Sequence, residues 1–474
     1  MRILLIGAGV SSTSLLKHLT ELNLDENVLI DLVDSKNHIG RGQAYIEDSD
    51  VLRANVPVSE MSLDKDATHY ERWLKEQGYV VDRFSSRRQF GEYMEDVLMS
   101  IVRANDNIQV IKDKIEHLDY DGQLFHCQIG NKEKCYDIVY LGIGMLEYMD
   151  PYELKGMENF IYNPYPIIKE LKDVKQNVAI VGTGLSGIDC LRYLLIERNL
   201  GKVYMFNRSN ELPAVRGTHY DFNFEYFTRD TLLKYVQDEQ FTLENVKSLF
   251  IKEMRYQEIS LELFERKSGD IIKDLQFDVD HPDTVGKLEY FLIEFNKIFT
   301  PFLHLLSKAE QKKLFEEYQP YISSNYSPMP REVATHIIEW LQSGRLEMIE
   351  DLEEIEKREL FILTADEKQY EMDVVINATG TNMDITSTKE PLVQLLYMKK
   401  LIEPHHLGGL KVDSHYHVVS PKYGVIKNFF AFGELTIGMT YLSNAVFDIF
   451  DMTREIAIEI KQTANNPAKN KKTD

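Results

Sequence analysis

Two glycine-rich turns have the residue types and the spacing to hold nucleotide cofactors. One is Gly7-Ala8-Gly9-Val10-Ser11-Ser12 and the other is Gly182-Thr183-Gly184-Leu185-Ser186-Gly187, and each lies between a short apolar run and apolar residues at helical spacing. In such a turn the first glycine allows a tight change from strand to helix. The second lets the backbone approach a pyrophosphate, which binds at the helix N-terminus. Two copies predict two bound dinucleotides and electron transfer between them.

The ribose positions that follow the two turns differ in charge. After the first turn, a predicted strand over residues 28–33 ends in Asp34, and a carboxylate about 20 positions past the turn accepts hydrogen bonds from ribose hydroxyls. After the second turn, the matching strand ends in Asn207-Arg208, where a guanidinium can pair with a 2′-phosphate. We expect a dinucleotide without a 2′-phosphate at the first turn and NADPH rather than NADH at the second. The alternative for Arg208 is a solvated surface arginine.

The third glycine position of the motif also differs between the turns. The second turn keeps Gly187, whereas the first carries Ser12. A serine there is expected to crowd the helix against the strand slightly without blocking the pyrophosphate. Because a lone GxGxxG also occurs in ordinary turns, the strand and helix around each copy are what support the nucleotide interpretation.

Composition is that of an ordinary globular protein and argues against several classes of partner. The chain has 474 residues, 43% of them hydrophobic and 27% charged, which predicts two or three domains. Its net charge of −22 disfavours DNA, RNA and anionic membrane surfaces as partners. No apolar run reaches the roughly 18 residues that span a bilayer, and no signal peptide precedes the first strand, so we expect a cytoplasmic protein.

Other catalytic and metal-binding patterns are missing from the sequence. Cys127, Cys135 and Cys190 are scattered without a CxxC pair, which predicts buried thiols rather than a redox dithiol. Neither His405-His406 nor His415 with His417 shows the i, i+4 spacing and third ligand of a metal site, so no metal is predicted. The sequence also lacks a GxSxG elbow and a GxxxxGK[ST] loop.

The chain pattern predicts an α/β fold with two Rossmann-like dinucleotide-binding domains, the second inserted in the first, plus a largely helical insertion. Two strand exits rich in small residues, which lead to Gly144 and Gly380, are expected where the backbone passes close to a cofactor. The predicted parts are the first nucleotide domain (1–150 and 381–460), the second (151–216 and 343–380), the helical insertion (217–342) and a disordered tail (461–474).

Aromatic residues are dense at the start of the predicted helical insertion. They are Tyr220, Phe222, Phe224, Tyr226 and Phe227. Core packing is the simpler interpretation of this cluster. A substrate lid or pocket wall is the alternative.

The chain resembles the two-dinucleotide-binding flavoproteins. Within them it is similar to FAD/NAD(P)-binding proteins distantly related to flavin-dependent N-hydroxylating and Baeyer–Villiger monooxygenases. The helical insertion has no matching motif. The residues that carry the resemblance are the turns at Gly7 and Gly182, Gly40 to Tyr45, Asn55-Val56-Pro57, Arg88, Phe90-Gly91, Tyr93, the exit at Gly142, Asn163-Pro164-Tyr165, Asn207-Arg208, Ala378-Thr379-Gly380, Gly408 to Asp413 and Phe429 to Glu434.

The resemblance implies roles for individual residues. Arg41 and Gly42 would lie along the flavin, and Glu434 would contact the ribityl chain and pyrophosphate, a position commonly occupied by Asp. The helix after Glu434 would point its N-terminus at the flavin pyrimidine. The cofactor-binding residues expected in all are Gly7, Gly9, Ser12, Asp34, Arg41, Gly42, Gly144, Gly433 and Glu434 for FAD, and Gly182, Gly184, Gly187, Arg208 and Gly380 for NADPH or NADH.

The resemblance implies an NAD(P)H-dependent FAD oxidoreductase. Hydride would pass from nicotinamide to flavin, and then to oxygen with a small-molecule substrate or to another acceptor. The histidine of the FxGxxxH fingerprint is absent from Phe160-Ile161-Tyr162-Asn163-Pro164-Tyr165, which counts against oxygen activation, so monooxygenase and reductase both stay open. The alternative is a non-catalytic flavin or nucleotide sensor that contacts a protein through the helical insertion. A homodimer is one of the assemblies that we consider.

Overall fold

The computed structural model describes residues 1–23, 27–35, 38–208, 212–264, 268–441 and 445–465. These residues group into two compact units. The first consists of Met1–Asp50, Val56–Glu147 and Thr381–Asp474, and the second of Val51–Asn55 and Tyr148–Gly380. Within the described ranges, no helix is long and apolar enough to cross a membrane.

The strands are numbered in chain order. They are β1 (Arg2–Ile6), β2 (Leu29–Val33), β3 (Ile108–Ile111), β4 (Ile115–Tyr120), β5 (Phe125–Ile129), β6 (Lys132–Tyr136), β7 (Ile138–Leu141), β8 (Phe160–Ile161), β9 (Val178–Val181), β10 (Val203–Phe206), β11 (Leu346–Ile349), β12 (Leu352–Lys357), β13 (Phe361–Ala365), β14 (Lys368–Met372), β15 (Val374–Asn377), β16 (His417–Ser420) and β17 (Gly424–Ala431).

The α-helices are also numbered in chain order. They are α1 (Val10–Glu21), α2 (His69–Glu76), α3 (Arg87–Ala104), α4 (Ile167–Glu170), α5 (Leu185–Arg192), α6 (Arg229–Gln237), α7 (Leu243–Tyr256), α8 (Leu261–Phe264), α9 (Ile271–Asp280), α10 (Pro282–Phe299), α11 (Lys308–Lys313), α12 (Gln319–Tyr326), α13 (Arg331–Gln342), α14 (Pro391–Met398), α15 (Ile437–Thr440) and α16 (Val446–Asn465). Short 3-10 or π segments lie at Val58–Glu60, Tyr193–Glu197, Thr300–Leu305, Leu314–Tyr318 and Glu434–Thr436.

The first unit is built on a six-stranded sheet of order β16-β17-β7-β1-β2-β3. All neighbouring pairs are parallel except β16 with β17. Ile3, Leu4 and Leu5 of β1 have no exposed surface, as expected for a strand that is covered on both faces. Strands β4, β5 and β6 form a separate antiparallel sheet between β3 and β7.

The second unit repeats this plan. Its sheet has the order β11-β10-β9-β15-β8, with every neighbouring pair parallel. A three-stranded antiparallel sheet, β12-β13-β14, again precedes the return strand, which is β15 here and β7 in the first unit. The return strand pairs with the strand that leads into the glycine turn, which is β9 in the second unit and β1 in the first. The glycine turn connects β1 to α1 in the first unit and β9 to α5 in the second. The predicted α/β fold class with two Rossmann-like units is thereby confirmed.

The predicted helical insertion lies between β10 and β11, the position that α2 and α3 occupy in the first unit. It groups with the second unit. Its aromatic residues pack against one another: Phe222 and Phe224 both contact Phe291 of α10, and Phe227 contacts Phe295. This packing supports the core interpretation for Phe222, Phe224 and Phe227, whereas Tyr220 is 43% exposed.

A buried carboxylate fixes the start of the helical segment. Glu253 of α7 has no exposed surface and accepts hydrogen bonds from the backbone amides of Glu225, Tyr226 and Phe227, at 3.1, 2.6 and 2.9 Å. Because an unpaired buried carboxylate is costly, these donors are what allow Glu253 to lie in the core.

Three boundaries differ from those expected, the first because residues 148–150 group with the second unit rather than the first. Val51–Asn55 groups with the second unit rather than the first, since the Val51 carbonyl accepts a hydrogen bond from Arg192 Nε at 2.9 Å and Leu52 packs in the core of that unit. The expected disordered tail began at Lys461, but α16 continues to Asn465. Ile460 is fully buried and Lys461 Nζ donates to the Leu22 carbonyl at 2.6 Å. The remainder of the expected tail, 466–474, lies outside the described residues.

Candidate cofactor sites

The first turn begins at a glycine that no other residue can replace without strain. Gly7 has φ +93°, and a Cβ there would overlap the Gly142 carbonyl, with its carbon 2.8 Å away. The Gly7 amide donates to the Val33 carbonyl at 2.8 Å. The turn is therefore pressed between the ends of β2 and β7, which leaves its outer side to face a ligand.

The second glycine of the first turn meets the segment that follows β2. Gly9 is the N-cap of α1, which has no side-chain cap, so amides of its first turn are available to a phosphate. A Cβ on Gly42 would lie 3.2 Å from the Gly9 Cα, and the Gly40 amide donates to the Ala8 carbonyl at 2.8 Å. These contacts bring the predicted residues Gly9 and Gly42 together.

Asp34 and Ser12 lie on opposite sides of the first turn. The Asp34 carboxylate accepts a hydrogen bond from the Ala8 amide at 2.8 Å, which places it at the mouth of the turn. Ser12 is fully buried, and its Oγ has no hydrogen-bond partner among the described residues. A Cβ on Gly142 would lie 3.0 Å from that Oγ, so the crowding expected from Ser12 is accommodated by the glycine on the neighbouring strand exit.

The Arg41 side chain forms an ion pair with a residue of α3, which restricts its rotation. Its Nε lies 2.7 Å from Glu95 Oε2 of α3, and the two side chains are 18% and 44% exposed. The predicted role of Arg41 along the flavin stays a prediction, but its position is defined because α3 supplies the partner.

The predicted residues near the flavin end surround a small cavity in the first unit. Gly144 and Gly433 have φ +79° and +99°, with open space where a Cβ would lie. Gly144 and Glu434 lie together in the lining of this cavity, which consists of Gly144, Leu146, Thr381, Asn382, Met383, Gly409, Glu434 and Leu435. After Glu434 the chain forms a 3-10 turn and then α15, a helix of only four residues.

The second turn reproduces the contacts of the first. Gly182 has φ +115°, and a Cβ there would overlap the Ala378 carbonyl, with its carbon 2.7 Å away. Its amide donates to the Phe206 carbonyl at 2.8 Å. Gly184 is the N-cap of α5, again without a side-chain cap, and has open space around its Cβ position. Gly187 packs on its own turn, because a Cβ there would overlap the Gly182 carbonyl.

The ribose position of the second turn has the charge expected from the sequence. Asn207 is buried and Arg208 is exposed directly after β10. The Asn207 amide donates to the Ile349 carbonyl at 3.1 Å, as the Asp34 amide does to Ile111 in the first unit. The backbone of the two ribose positions is therefore equivalent, and only the side chains differ.

Asn377 organises the second strand exit and was missed from the sequence. Its amide nitrogen donates to the carbonyls of Met149 and Tyr162, at 2.8 and 3.1 Å, and its oxygen accepts from Thr379 Oγ1 at 2.8 Å. These bonds shape the chain leading to Gly380, which has φ +97°. An amide among the apolar residues of a buried strand is the signal that could have revealed it.

Glu147 has a similar role beside the cavity and was also missed. Its carboxylate accepts hydrogen bonds from Asn382 Nδ2, Thr388 Oγ1 and the Lys389 amide, at 3.2, 2.7 and 2.9 Å. Burial alone would raise the pKa of Glu147, but these hydrogen bonds lower it below its ordinary value. Glu147 thereby fixes the segment that supplies three residues of the cavity lining.

The histidines near the C-terminus do have a third potential ligand, contrary to expectation. Ligand atoms of Asp413, His415 and His417 lie within 4.8 Å of one another, because a tight turn returns Asp413 to β16. Both oxygens of Asp413 lie 3.0 Å from His417 Nδ1, and Lys427 Nζ lies 3.1 Å from Oδ2. Burial alone would raise the pKa of Asp413, but His417 and nearby amides hold it well below its ordinary value. A metal would have to displace these partners.

Comparisons with known proteins agree with the two-turn architecture. Residues 4–146 match a family model described as FAD-NAD(P)-binding. No curated protein resembles the chain in sequence. Among solved structures, L-lysine 6-monooxygenase from Pseudomonas syringae superposes with a TM-score of 0.63 at 13% identity, over 98% of this chain and 99% of that one. The chain therefore shares the fold of that enzyme.

Two further structures extend the likeness. Ornithine N-hydroxylase from Kutzneria sp. 744, a structure with reduced FAD, NADP⁺ and L-ornithine, has a TM-score of 0.58 at 13% identity, over 97% of this chain and 98% of that one. The FAD-bound cadaverine monooxygenase from Erwinia amylovora has a TM-score of 0.61 at 13% identity, over 97% and 94% of the two chains. The likeness spans nearly the whole of each chain, including the helical segment without matching motifs.

Proposed function

We propose that this protein is an NADPH-dependent FAD oxidoreductase in which the first unit holds FAD and the second holds NADPH. The observation that carries the proposal is the repetition of one glycine turn in two units. In each, the first glycine is pressed against a neighbouring strand exit and an uncapped helix begins at the second glycine. The FAD-NAD(P)-binding match to residues 4–146 supports FAD in the first unit.

The residues present suit the two cofactors. Gly184, Gly144 and Gly433 leave space that a side chain would fill, and each turn has a helix N-terminus to face a pyrophosphate. Asp34 would accept hydrogen bonds from a ribose, and Arg208 would pair with a 2′-phosphate. When bound, FAD would supply the redox chemistry, taking hydride from the nicotinamide and passing its electrons to an acceptor.

We further propose that the acceptor is molecular oxygen and that the substrate is a small primary amine. The structures named as lysine, ornithine and cadaverine oxygenases support this, since each named substrate carries an alkyl amine. The missing FxGxxxH histidine is the feature that counts against oxygen use. A reductase with an external acceptor is therefore the outcome to be separated from a monooxygenase.

One experiment tests the cofactors. The purified full-length protein is incubated with FAD, freed of excess FAD, and mixed anaerobically with NADPH or NADH. We expect the absorbance of oxidised flavin to disappear faster with NADPH than with NADH. Protein that retains no FAD, or retained FAD that neither nucleotide reduces, would contradict the proposal, and the second result would favour the sensor alternative.

A second experiment tests the acceptor. Air and a panel of small amines, including lysine, ornithine and cadaverine, are admitted to the reduced protein, and hydroxylated amine and hydrogen peroxide are quantified. We expect one amine to yield hydroxylated product in proportion to the NADPH consumed. Peroxide in proportion to NADPH with every amine would instead identify an oxidase or reductase. A cytoplasmic location and a homodimer stay predictions.

A further inference from the structure

Three polar side chains form a linked series on the exposed face of the β4-β5-β6 sheet. His126 of β5 lies opposite Cys135 of β6 in the strand register, and the Cys135 sulfur is 3.4 Å from His126 Nδ1. On the far side of the ring, His126 Nε2 is 2.7 Å from Asp121 Oδ2. A thiol, an imidazole and a carboxylate are thereby joined in the order that activates nucleophilic cysteines.

Asp121 determines which nitrogen of His126 faces the thiol as an acceptor. The carboxylate of Asp121 also accepts hydrogen bonds from the amides of Gln123 and Leu124, both at 2.8 Å. The hydrogen bond from His126, with those from the two amides, lowers the pKa of Asp121 to about 2. An ionised carboxylate can only accept, so the proton of neutral His126 lies on Nε2 and the Nδ1 lone pair points at the Cys135 thiol.

Asp119 brings a second carboxylate close to His126. Asp119 of β4 lies opposite His126 on the other side of the strand, but its carboxylate is 2.6 Å from Lys399 Nζ. A second negative charge near His126 is thus partly neutralised by Lys399, the residue that follows α14.

Accessibility separates Cys135 from the other two cysteines. Cys135 is exposed, whereas Cys127 and Cys190 are buried. Burial raises the pKa of Cys127 to about 12, which leaves it protonated and unreactive. The sequence expectation of three buried thiols is therefore wrong for Cys135, because an exposed strand position was not distinguishable from a buried one.

We propose that Cys135, with His126 as its base and Asp121 as the residue that orients the base, is a modification site for hydroperoxides. His126 Nδ1 takes the thiol proton, and the sulfur attacks one peroxide oxygen. The S–O bond forms at the oxygen that carries hydrogen as the O–O bond breaks, and the departing alkoxide, or hydroxide in the case of hydrogen peroxide, takes the proton from His126 to become an alcohol or water. The cysteine is oxidised to a sulfenic acid and the peroxide is reduced. An external small thiol then converts the sulfenic acid to a mixed disulfide and releases water.

The test measures site-resolved oxidation of the full-length protein. Hydrogen peroxide is added at pH 7, sulfenic acid is trapped with a cyclic 1,3-diketone, and each cysteine is followed by peptide mass spectrometry. We expect Cys135 to be trapped at least roughly tenfold faster than Cys127 or Cys190. His126→Gln is expected to slow trapping at Cys135 roughly tenfold, and Asp121→Asn to slow it about threefold.

Two controls make the result decisive. Glu133→Gln alters an exposed residue of β6 outside the series and is expected to leave the Cys135 rate unchanged. Continued protection of Cys127 in each variant shows that the sheet is folded. The proposal is overturned if His126→Gln reacts as fast as the wild type, or if Cys135 reacts no faster in the folded chain than in the same chain unfolded in urea. These readouts do not depend on turnover of NADPH.

Discussion

The two nucleotide turns share a backbone and differ in where they carry side-chain atoms. In both, the first glycine has a positive φ and lies against the exit of the return strand, with carbonyl carbons 2.8 and 2.7 Å from the Cβ position. In the first unit the exit residue is Gly142 and the helix carries Ser12. In the second the exit residue is Ala378 and the helix carries Gly187. The same strand-to-helix connection therefore tolerates a side chain in different places, provided that the first glycine is kept.

The ribose positions show the opposite pattern, with equivalent backbone and contrasting charge. The Asp34 amide donates to Ile111, the last residue of β3, and the Asn207 amide donates to Ile349, the last residue of β11. Asp34 turns its carboxylate back to the Ala8 amide, whereas Arg208 is exposed to solvent. We propose that the shared backbone geometry suits a dinucleotide in each unit and that the side-chain charge selects which one.

The largest effect is expected from removing the feature that the turns share. Gly7→Ala and Gly182→Ala each place a Cβ in overlap with a backbone carbonyl at a φ that disfavours L side chains. Each is expected to lower the free energy of unfolding by about 3 kcal/mol, measured by urea denaturation. Gly201→Ala is the matched control, since its Cβ position is open. Its effect is expected to stay within about 0.5 kcal/mol. Equal effects at all three positions would contradict the shared role of the turns.

A second prediction concerns the third glycine position, where the two turns carry different residues. Gly187→Ala places a Cβ in overlap with the Gly182 carbonyl and is expected to cost roughly 2 kcal/mol. Ser12→Ala removes a buried hydroxyl that has no partner among the described residues, so it is expected to be neutral or to stabilise by up to about 1 kcal/mol. Thermal unfolding without cofactors measures both. Destabilisation by Ser12→Ala as large as that by Gly187→Ala would show that the hydroxyl has a structural role.

A third prediction tests the contrast in side-chain charge between the two predicted ribose positions. Arg208→Ala is expected to raise the KM for NADPH about tenfold and to leave the KM for NADH within about twofold, because only NADPH carries a 2′-phosphate. Initial rates of flavin reduction measure both constants. Asp34→Asn, which retains an acceptor for the Ala8 amide, is the matched variant in the first unit and is expected to weaken FAD binding without changing the nucleotide preference. A parallel rise in both KM values for Arg208→Ala would argue against a 2′-phosphate contact.

The smallest effect is expected at ion pairs outside the turns. Glu95→Gln releases Arg41, whose partner carboxylate is 44% exposed, and Glu347→Gln releases Lys202 in the second unit, where both side chains are more than 40% exposed. Each is expected to change the free energy of unfolding by about 0.5 kcal/mol or less, as solvent screens such pairs. Urea denaturation in low and high salt measures this. A selective loss of FAD affinity in Glu95→Gln would support the predicted position of Arg41 along the flavin.

Local patterns in the sequence were sufficient to predict the strands and helices around the two glycine turns. The apolar run at residues 2–6 is β1, and the run ending at Val181 is β9. Such runs are informative because strands covered on both faces contain few polar residues. The return strands that end near Gly142 and Ala378 were recognised for the same reason.

Residues whose partners are distant in sequence could not be predicted. Asn377 bonds to carbonyls more than 200 positions away, and Glu147 bonds to residues 235 to 242 positions away. The third metal-ligand candidate, Asp413, and the contact of His126 with Cys135 depend on a turn geometry and a strand register that hydropathy does not reveal. The helical end at Asn465 was missed because polar composition concealed a packed face.

By itself, the sequence determined that two strand-turn-helix units exist and which charge follows the second strand of each, at the predicted ribose position. Glycine, carboxylate and guanidinium at fixed offsets carry that information, because the turn and the ribose position are set by local backbone geometry. Only the tertiary structure decided which carbonyl excludes a side chain from each turn, which residues line the cavity at Glu434, and which cysteine has a base beside it. Those properties depend on atoms brought together across strands, and their distances follow from packing rather than from spacing along the chain.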